Sequence, residues 1–459
     1  MAADCCSRHH SPVTGAICPP AQTKDAGLMA PELLIFIVMA LGIVIGAPIA
    51  TALGIAGVIG IIAGLSPAML ATLGTNTYNA IAKYPLVAIP LFVLTGIIFE
   101  RSGVAASLVN FARALVGVRR GGLATVAVIV CMIMGGMSGS GPADAAAVAT
   151  VMVPSMMRAG YPKAFSAAVI AASASTAILI PPSVALIIYS ILVPSVDLRA
   201  LFAAGLIPGL IAGVAVMAPA IWLSRRNHFE SDGTEVRPSV RETFIHALPA
   251  LFAPVLILGG LRSGLFTPTE AAVVAVVYGL FIGTVVYRNL DLRMIYDALV
   301  DAAMMSGVIL LIISMAGIFA WAGSTLGAFD QAAEAVLSIS DNPIVVLGLV
   351  LVFLLLIGMV IDGVSIYIIL IPILMPIVKA FEWNTVWFGI VMAMTIAIGQ
   401  FTPPVAVNLL VTSRVAGVTI ESTLGWTLWL VLSMITALIL LVTFPAIALW
   451  LPEALGYRV

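Results

Sequence analysis

The amino-acid sequence predicts an all-α polytopic membrane protein, built as an inverted repeat with two re-entrant hairpins and two proline-broken helices. Three observations predict it: an apolar composition with runs of spanning length, an offset of 222 residues at which the two halves match, and polar or proline interruptions inside otherwise oily segments. Of the 459 residues 62% are hydrophobic and 9% charged, against about a quarter charged in soluble domains. No room remains for a sizeable aqueous domain. Runs near the spanning length of about 20 residues recur along nearly the whole chain, among them "LLIFIVMALGIVIG", "LIPGLIAGVAVMAPAIWL", "AAVVAVVYGLFIGTVV" and "LWLVLSMITALILLVTFPAIALW". The net charge of −1 says nothing about partners, and basic residues scattered in loops give no support to nucleic-acid binding.

Taken in chain order, residues 1–30 form a polar tail without the apolar core of a signal peptide. A start of translation at Met29 would remove most of it. Its Cys5, Cys6 and Cys18, with Cys131 in an apolar helix, make neither a disulfide framework nor a zinc pattern, and His9 and His10 add only a weak metal-binding reading. The stretch "GVAASLVNFARALVGV", flanked by Glu100 and Arg101 and carrying Arg113, reads as amphipathic and lying along the membrane surface. The longest charged stretch, Ser224 to Phe244, splits the chain near its centre. Across it, Gly136-Met137 pairs with Gly358-Met359, Pro154 with Pro376, Pro181-Pro182 with Pro403-Pro404 and Val196 with Val418, each 222 apart and without a gap over some sixty residues. An internal repeat is the reading that accounts for this run of matches.

The orientation of the two halves follows from charge. If "MSGSGPAD" is the tip of a re-entrant hairpin, both of its ends face one side, and they carry Arg119, Arg120, Arg158 and Lys163. The excess of basic residues in cytoplasmic loops places them inside. Tracing onward puts the central loop inside as well, and a second hairpin, about 343–379, outside. The repeat is therefore inverted, and thirteen of the twenty Lys and Arg fall on the cytoplasmic side.

Helices broken at mid-membrane leave backbone groups that lipid cannot solvate, so such breaks persist where they line a cavity or coordinate something. Four are expected: the tips "SGSGPAD" and "GMVIDGVS", and the spans "STAILIPPSVALIIY" and "AIGQFTPPVAVNLL". Carbonyls at the breaks, those of Gly139, Pro181, Gly358 and Pro403 included, join Ser138, Ser140, Thr176 and Ser183 in one half and Asp362, Ser365, Gln400 and Thr402 in the other. Such an all-oxygen cage suits a hard monovalent cation such as Na⁺. The helix N-termini after each break suit an anionic substrate group, with Ser140, Asp144, Pro182, Ser365, Pro404 and Asn408 as candidate contacts. Asp362 stands out, because a carboxylate at a helix centre costs about 2.5–3.5 kcal/mol on insertion scales unless paired or shielded. It reads as a cation ligand and as the N-cap of the next hairpin arm. Asp144 reads equally as cap or ligand. Asn408 and Tyr189 face either the substrate or the packing, and Glu270, after Pro268, marks a helix start. The two halves are chemically unequal, since Asp362 aligns with Ser140 and Asp144 with Ile366. An intramembrane enzyme is disfavoured: there is no HExxH, His246 is isolated, and Asp362 lacks a GxGD sequence.

The segments "GMSGSGPADAAAVATVMVPSMMRAGYPKAF", "ILIPPSVALIIYS" followed by "LFAAGLIPGLI", and "IGQFTPPVAVNLLV" together resemble the large membrane subunit of tripartite ATP-independent periplasmic (TRAP) transporters, from about Met29 onward. The resemblance implies an elevator-type secondary transporter of the bacterial inner membrane, driven by sodium, accompanied by a small membrane subunit and fed an organic acid by a periplasmic binding protein. It implies a first sodium site at Ser138–Ser140 with Pro181–Ser183, and a second around Asp362 with Gln400–Pro404. Two departures bear on the first site: Gly141-Pro142 follows "SGS", and Ala177 stands where glycine is common. On this reading residues 31–118 and 246–340 are scaffold, 119–223 and 341–459 are the moving transport domain, and 224–245 is a cytoplasmic loop. The alternative is a sodium- or proton-coupled dicarboxylate carrier of related architecture that needs no binding protein.

Overall fold

A computed structural model describes residues 31–117, 120–229 and 239–459. The polar tail with its cysteines and histidines, and Arg119 and Arg237, lie outside the described residues. Those described fold as twenty α-helices with short 3₁₀ and π turns and no strand. In lipid a backbone must satisfy its hydrogen bonds within its own segment, which helices do.

The first half comprises α1 (Pro31–Val44), α2 (Ile49–Gly64), α3 (Leu73–Ile81), α4 (Ala88–Arg101), α5 (Val104–Val116), α6 (Gly122–Ser138), α7 (Gly141–Arg158), α8 (Lys163–Ser175), α9 (Val184–Leu192) and α10 (Leu198–Arg226). The second comprises α11 (Val240–Arg262), α12 (Pro268–Phe281), α13 (Leu292–Leu326), α14 (Ala328–Leu337), α15 (Pro343–Gly358), α16 (Gly363–Ala380), α17 (Thr385–Gly399), α18 (Val407–Ala416), α19 (Ile420–Thr443) and α20 (Ala446–Ala454). Seven helical segments are long and apolar enough to cross a membrane. With 35 residues, α13 spans about 52 Å. That exceeds the hydrocarbon core of about 30 Å, so the helix tilts or projects beyond it, and its charged Arg293 and Asp297 lie in its first turns. Helix α5, with 13 residues, reaches only about 20 Å and packs along α6 and α11.

Helix ends follow local chemistry. Asp291 caps α13 by accepting from Met294 N at 2.7 Å, and Gly327 closes it in the left-handed region at φ 73°. Glu270 accepts from Thr267 N at 2.8 Å, completing a reciprocal cap at the start of α12, the helix-start role expected of it.

The repeat runs further than sixty residues. Shifted by 222, α7 becomes 363–380, the bounds of α16, and α10 begins at 420, where α19 begins. The same shift carries α2 to 271–286, covering most of α12 and all of its terminal π turn Ile282–Val286, and α5 to 326–338, over α14. Between the two hairpins, α6–α7 and α15–α16, the chain crosses five times: the broken pair α8–α9, then α10, α11, α12 and α13. An odd number of crossings makes the hairpins open to opposite sides. Side chains agree. Tyr161, at the open end of the first hairpin, packs 5.5 Å from Phe229 at the start of the central loop, and Phe229 lies 5.8 Å from Trp426 in α19. At the other face the Tyr189 hydroxyl donates to the Thr385 carbonyl, at the open end of the second hairpin, at 2.6 Å.

Candidate functional site

The first tip is shaped by a glycine that no other residue can replace. Gly139 sits at φ 60°, and a Cβ there would collide with the Pro182 carbonyl oxygen and lie 2.9 Å from Ser183 Cα. Tip and broken span thus meet backbone to backbone. The buried Ser138 hydroxyl donates to Asp144 Oδ1 at 2.6 Å and accepts from Ser140 N at 3.2 Å. Asp144 is therefore no backbone cap: it lies in the first turn of α7, fully buried, holding the tip serine, and its Oδ2 has no partner. A buried unpartnered carboxylate oxygen is costly unless a cation or donor faces it. Gly141 and Pro142 open α7, where a proline's missing N–H costs nothing.

The first broken span runs from α8 through a 3₁₀ turn, Thr176–Ile178, and resumes at Val184. The Thr176 carbonyl accepts from both Leu179 N (3.0 Å) and Ile180 N (3.2 Å), and the Thr176 hydroxyl donates to the Ser173 carbonyl at 2.7 Å. The Pro181–Pro182 peptide is cis. Ser183 is fully buried and its hydroxyl has no partner. Ala177 fits because Gly135 faces it: a Cβ on Gly135 would lie 2.7 Å from Ala177 Cα.

At the second tip Asp362 caps α16, Oδ2 accepting from Ser365 N at 3.1 Å and Oδ1 from the Ser365 hydroxyl at 2.5 Å. The N-cap reading is thus met, and it leaves the carboxylate at the cavity surface. Gly358 packs on Gly399, where a Cβ would lie 2.6 Å from the Gly358 carbonyl carbon. The Met359 carbonyl accepts from Ala406 N at 3.0 Å, tying the tip to the second break. In that break the Asn408 amide donates to the Gln400 carbonyl at 3.0 Å and the Thr402 hydroxyl to the Ile398 carbonyl at 2.5 Å. The Gln400 carboxamide oxygen and both polar atoms of the Asn408 side chain are buried without partners.

The four interruptions converge. A Cβ on Gly141 would meet Asn408 Nδ2 at 2.9 Å and Gln400 Oε1 at 3.0 Å, and one on Gly363 would meet Gln400 Nε2 at 2.9 Å. They enclose one side of a cavity of about 580 Å³, to which α4 and α13 supply the other. Of the expected site residues Ser138, Gly139, Ser140, Asp362 and Gln400 line it. Asp144, Thr176, Pro181, Pro182, Ser183 and Ser365 are buried behind that surface, as are Thr402 and Asn408, while Gly358 and Pro403 are part of the supporting backbone and Pro404 is exposed. The N-termini of α7 and α16 both start at the cavity, presenting their partial positive charge. The described residues hold no cluster of three or more His, Cys, Asp or Glu. The available donors are carbonyl, hydroxyl and carboxylate oxygens, a set that fits Na⁺.

Two features of the wall escaped the sequence reading. Glu100 lines the cavity, whereas the adjacent Arg101 pairs with Asp301 and donates to the Met294 carbonyl at 3.3 Å. Met304 and Met305 of α13 form part of the apolar wall opposite the tips. Glu100 ends an apolar run and was legible as an intramembrane carboxylate. Its direction was not, because neighbouring residues on a helix diverge by about 100°.

Comparison with known proteins adds an independent view. Residues 36–447 match the family described as "Tripartite ATP-independent periplasmic transporter, DctM component". The chain is 36% identical to the isethionate TRAP transporter permease protein DctMQ of Oleidesulfovibrio alaskensis, over 93% of this chain and 67% of that one. It is also 36% identical to the C4-dicarboxylate TRAP transporter large permease protein DctM of Pseudomonas aeruginosa, over 88% and 94% of the two chains. With the sialic acid large permease SiaM of Vibrio cholerae the identity is 35%, over 83% and 89%. Among solved structures, the Alcanivorax borkumensis YdaH transporter, described as having an unusual topology, superposes with a TM-score of 0.66 at 15% identity, over 92% of this chain and 100% of that one. That likeness is one of fold.

Proposed function

The chain belongs to the DctM family, the large permease subunits of tripartite ATP-independent periplasmic transporters, and we propose that it imports a small organic anion across the inner membrane together with sodium. The observation that carries the proposal is the cavity at which two helix N-termini and four backbone interruptions meet, with no basic side chain among its described lining residues. An anion there faces Asp362 and finds no guanidinium or ammonium. Cations bound at the breaks would compensate, and the orphan oxygens of Asp144, Ser183 and Gln400 mark where uncompensated acceptors stand. Relatives named for isethionate, C4-dicarboxylates and sialic acid support an acid as cargo.

In this reading one sodium is held by Ser138–Ser140 with Pro181–Ser183, and a second by Asp362, Gln400 and Thr402 with carbonyls near Gly358 and Pro403. Cation binding orders both tips and so completes the surface on which the α7 and α16 N-termini receive the anion. Ion and solute are then coupled through shared structure. The unit of hairpins and broken helices, 119–223 and 341–459, moves as an elevator against the scaffold of 31–118 and 246–340. A small membrane subunit accompanies the chain and a periplasmic solute-binding protein delivers the acid. The test is uptake into proteoliposomes holding both membrane subunits. Uptake that requires an inward sodium gradient and an added binding protein is expected. Uptake driven equally well without sodium by a proton gradient, or needing no binding protein, would move the function to the alternative carrier.

A further inference from the structure

The cavity's two walls differ in charge. On the tip side Asp362 is engaged as a helix cap, and the positive ends of α7 and α16 lie beside it. On the scaffold side Glu100 enters the cavity lining with no hydrogen-bond partner among the described residues. The neighbouring Arg101 lies outside the lining, bonded to Asp301 and to the Met294 carbonyl. No Lys, Arg or His lies among the described lining residues, and Met304, Met305 and Val308 make the remaining wall apolar. On the tip side Gln400, 4% exposed, lines the cavity beside Gly141 and Gly363, and its Oε1 has no partner. A ligand with carboxylates at both ends would press one of them against Glu100, with no basic side chain among the described lining residues to receive it. A ligand with an ammonium at its far end would instead meet the Glu100 carboxylate.

We propose that Glu100 is a specificity-determining residue, and that the cavity takes an amine-bearing organic acid whose carboxylate faces the α7 and α16 N-termini and whose ammonium faces Glu100. This rests on the transport reading above and narrows its substrate class from organic anion to zwitterionic acid. Charge-assisted hydrogen bonds to a partly desolvated carboxylate are the strong kind, and they discriminate against any ligand that leaves Glu100 unpaired.

The test compares matched acids that differ only at the far end: butyrate, succinate and 4-aminobutyrate, and the six-carbon set hexanoate, adipate and 6-aminohexanoate. Thermal stability of the purified large subunit with its small partner is followed against each acid in NaCl and in KCl. The expected result is stabilisation by an aminated acid in NaCl, with its dicarboxylate and alkyl counterparts weaker. Glu100→Gln should raise the half-saturating concentration of the aminated acid by about ten-fold or more, and Glu100→Asp should keep the ranking. A dicarboxylate that stabilises as well as its aminated counterpart, no stabilisation by either aminated acid, or a ranking unchanged in Glu100→Gln would overturn the assignment. The sodium effect without any acid reports on the transport reading separately and should persist in Glu100→Gln.

Discussion

The two hairpin tips occupy equivalent places in the repeat yet are built by different means. The first is a packing device. Gly139 turns the chain at φ 60° against the Pro182 carbonyl, and its carboxylate, Asp144, is sealed one turn inside behind Ser138. The second turns without a left-handed glycine, rests on the Gly358–Gly399 contact, and places its carboxylate, Asp362, at the cavity. A mid-membrane break can thus be held by steric fit or by a capping carboxylate. The first kind should fail by unfolding and the second by loss of chemistry.

The largest effect is expected at Gly139→Ala, which combines a positive φ with a collision against backbone and should cost about 3 kcal/mol or more. Its repeat counterpart, the half-buried Ile361, should tolerate alanine at roughly 1 kcal/mol. Recovery of monodisperse protein and the thermal midpoint measure both, and equal losses would erase the contrast between the tips. Next comes Ser138→Ala, which leaves both Asp144 oxygens unpartnered in the interior at about 1–3 kcal/mol. Combining it with Asp144→Leu should cost less than the sum of the two single changes, because a polar group and its partner then leave together. Strict additivity would show that the pair does not act as one unit. Gly135→Ala, pressing a Cβ against both the Cα and the methyl of Ala177, should lower the midpoint by the equivalent of about 1–2 kcal/mol, and Ala177→Gly in the same chain should restore only part of it, because the contact with Cα remains. Full restoration would show that the methyl alone carries the strain.

How far the sequence reveals this depends on what each feature requires. Spans, tips and proline breaks were legible, because hydrophobic length, glycine and proline carry them directly. The 222-residue offset was visible only from Gly136 to Val196 and their partners, where broken backbones restrict the residues allowed. Elsewhere, as in α2 against α12 and α5 against α14, helix length persists after side chains have diverged. Three matters needed coordinates. Whether Asp144 caps a backbone N–H turns on where its carboxylate points, and it accepts from the Ser138 hydroxyl instead. Glu100 and Arg101 are adjacent in sequence and opposite in role. Pro404 shares its doublet with Pro403 yet is exposed, since the chain leaves the interior between Thr402 and Ala406.

The sodium proposed at Asp362 gives that residue two roles, ligand and helix cap, and Asp362→Asn separates them, because asparagine caps a helix about as well as aspartate. The most direct measurement is the thermal midpoint of the large subunit with its small partner in NaCl, KCl and choline chloride, for the wild type and Asp362→Asn. The account predicts a sodium-specific rise in the wild type, with the variant matching the wild type in KCl and losing most of the rise in NaCl. A sodium-specific rise of the same size in Asp362→Asn would contradict it.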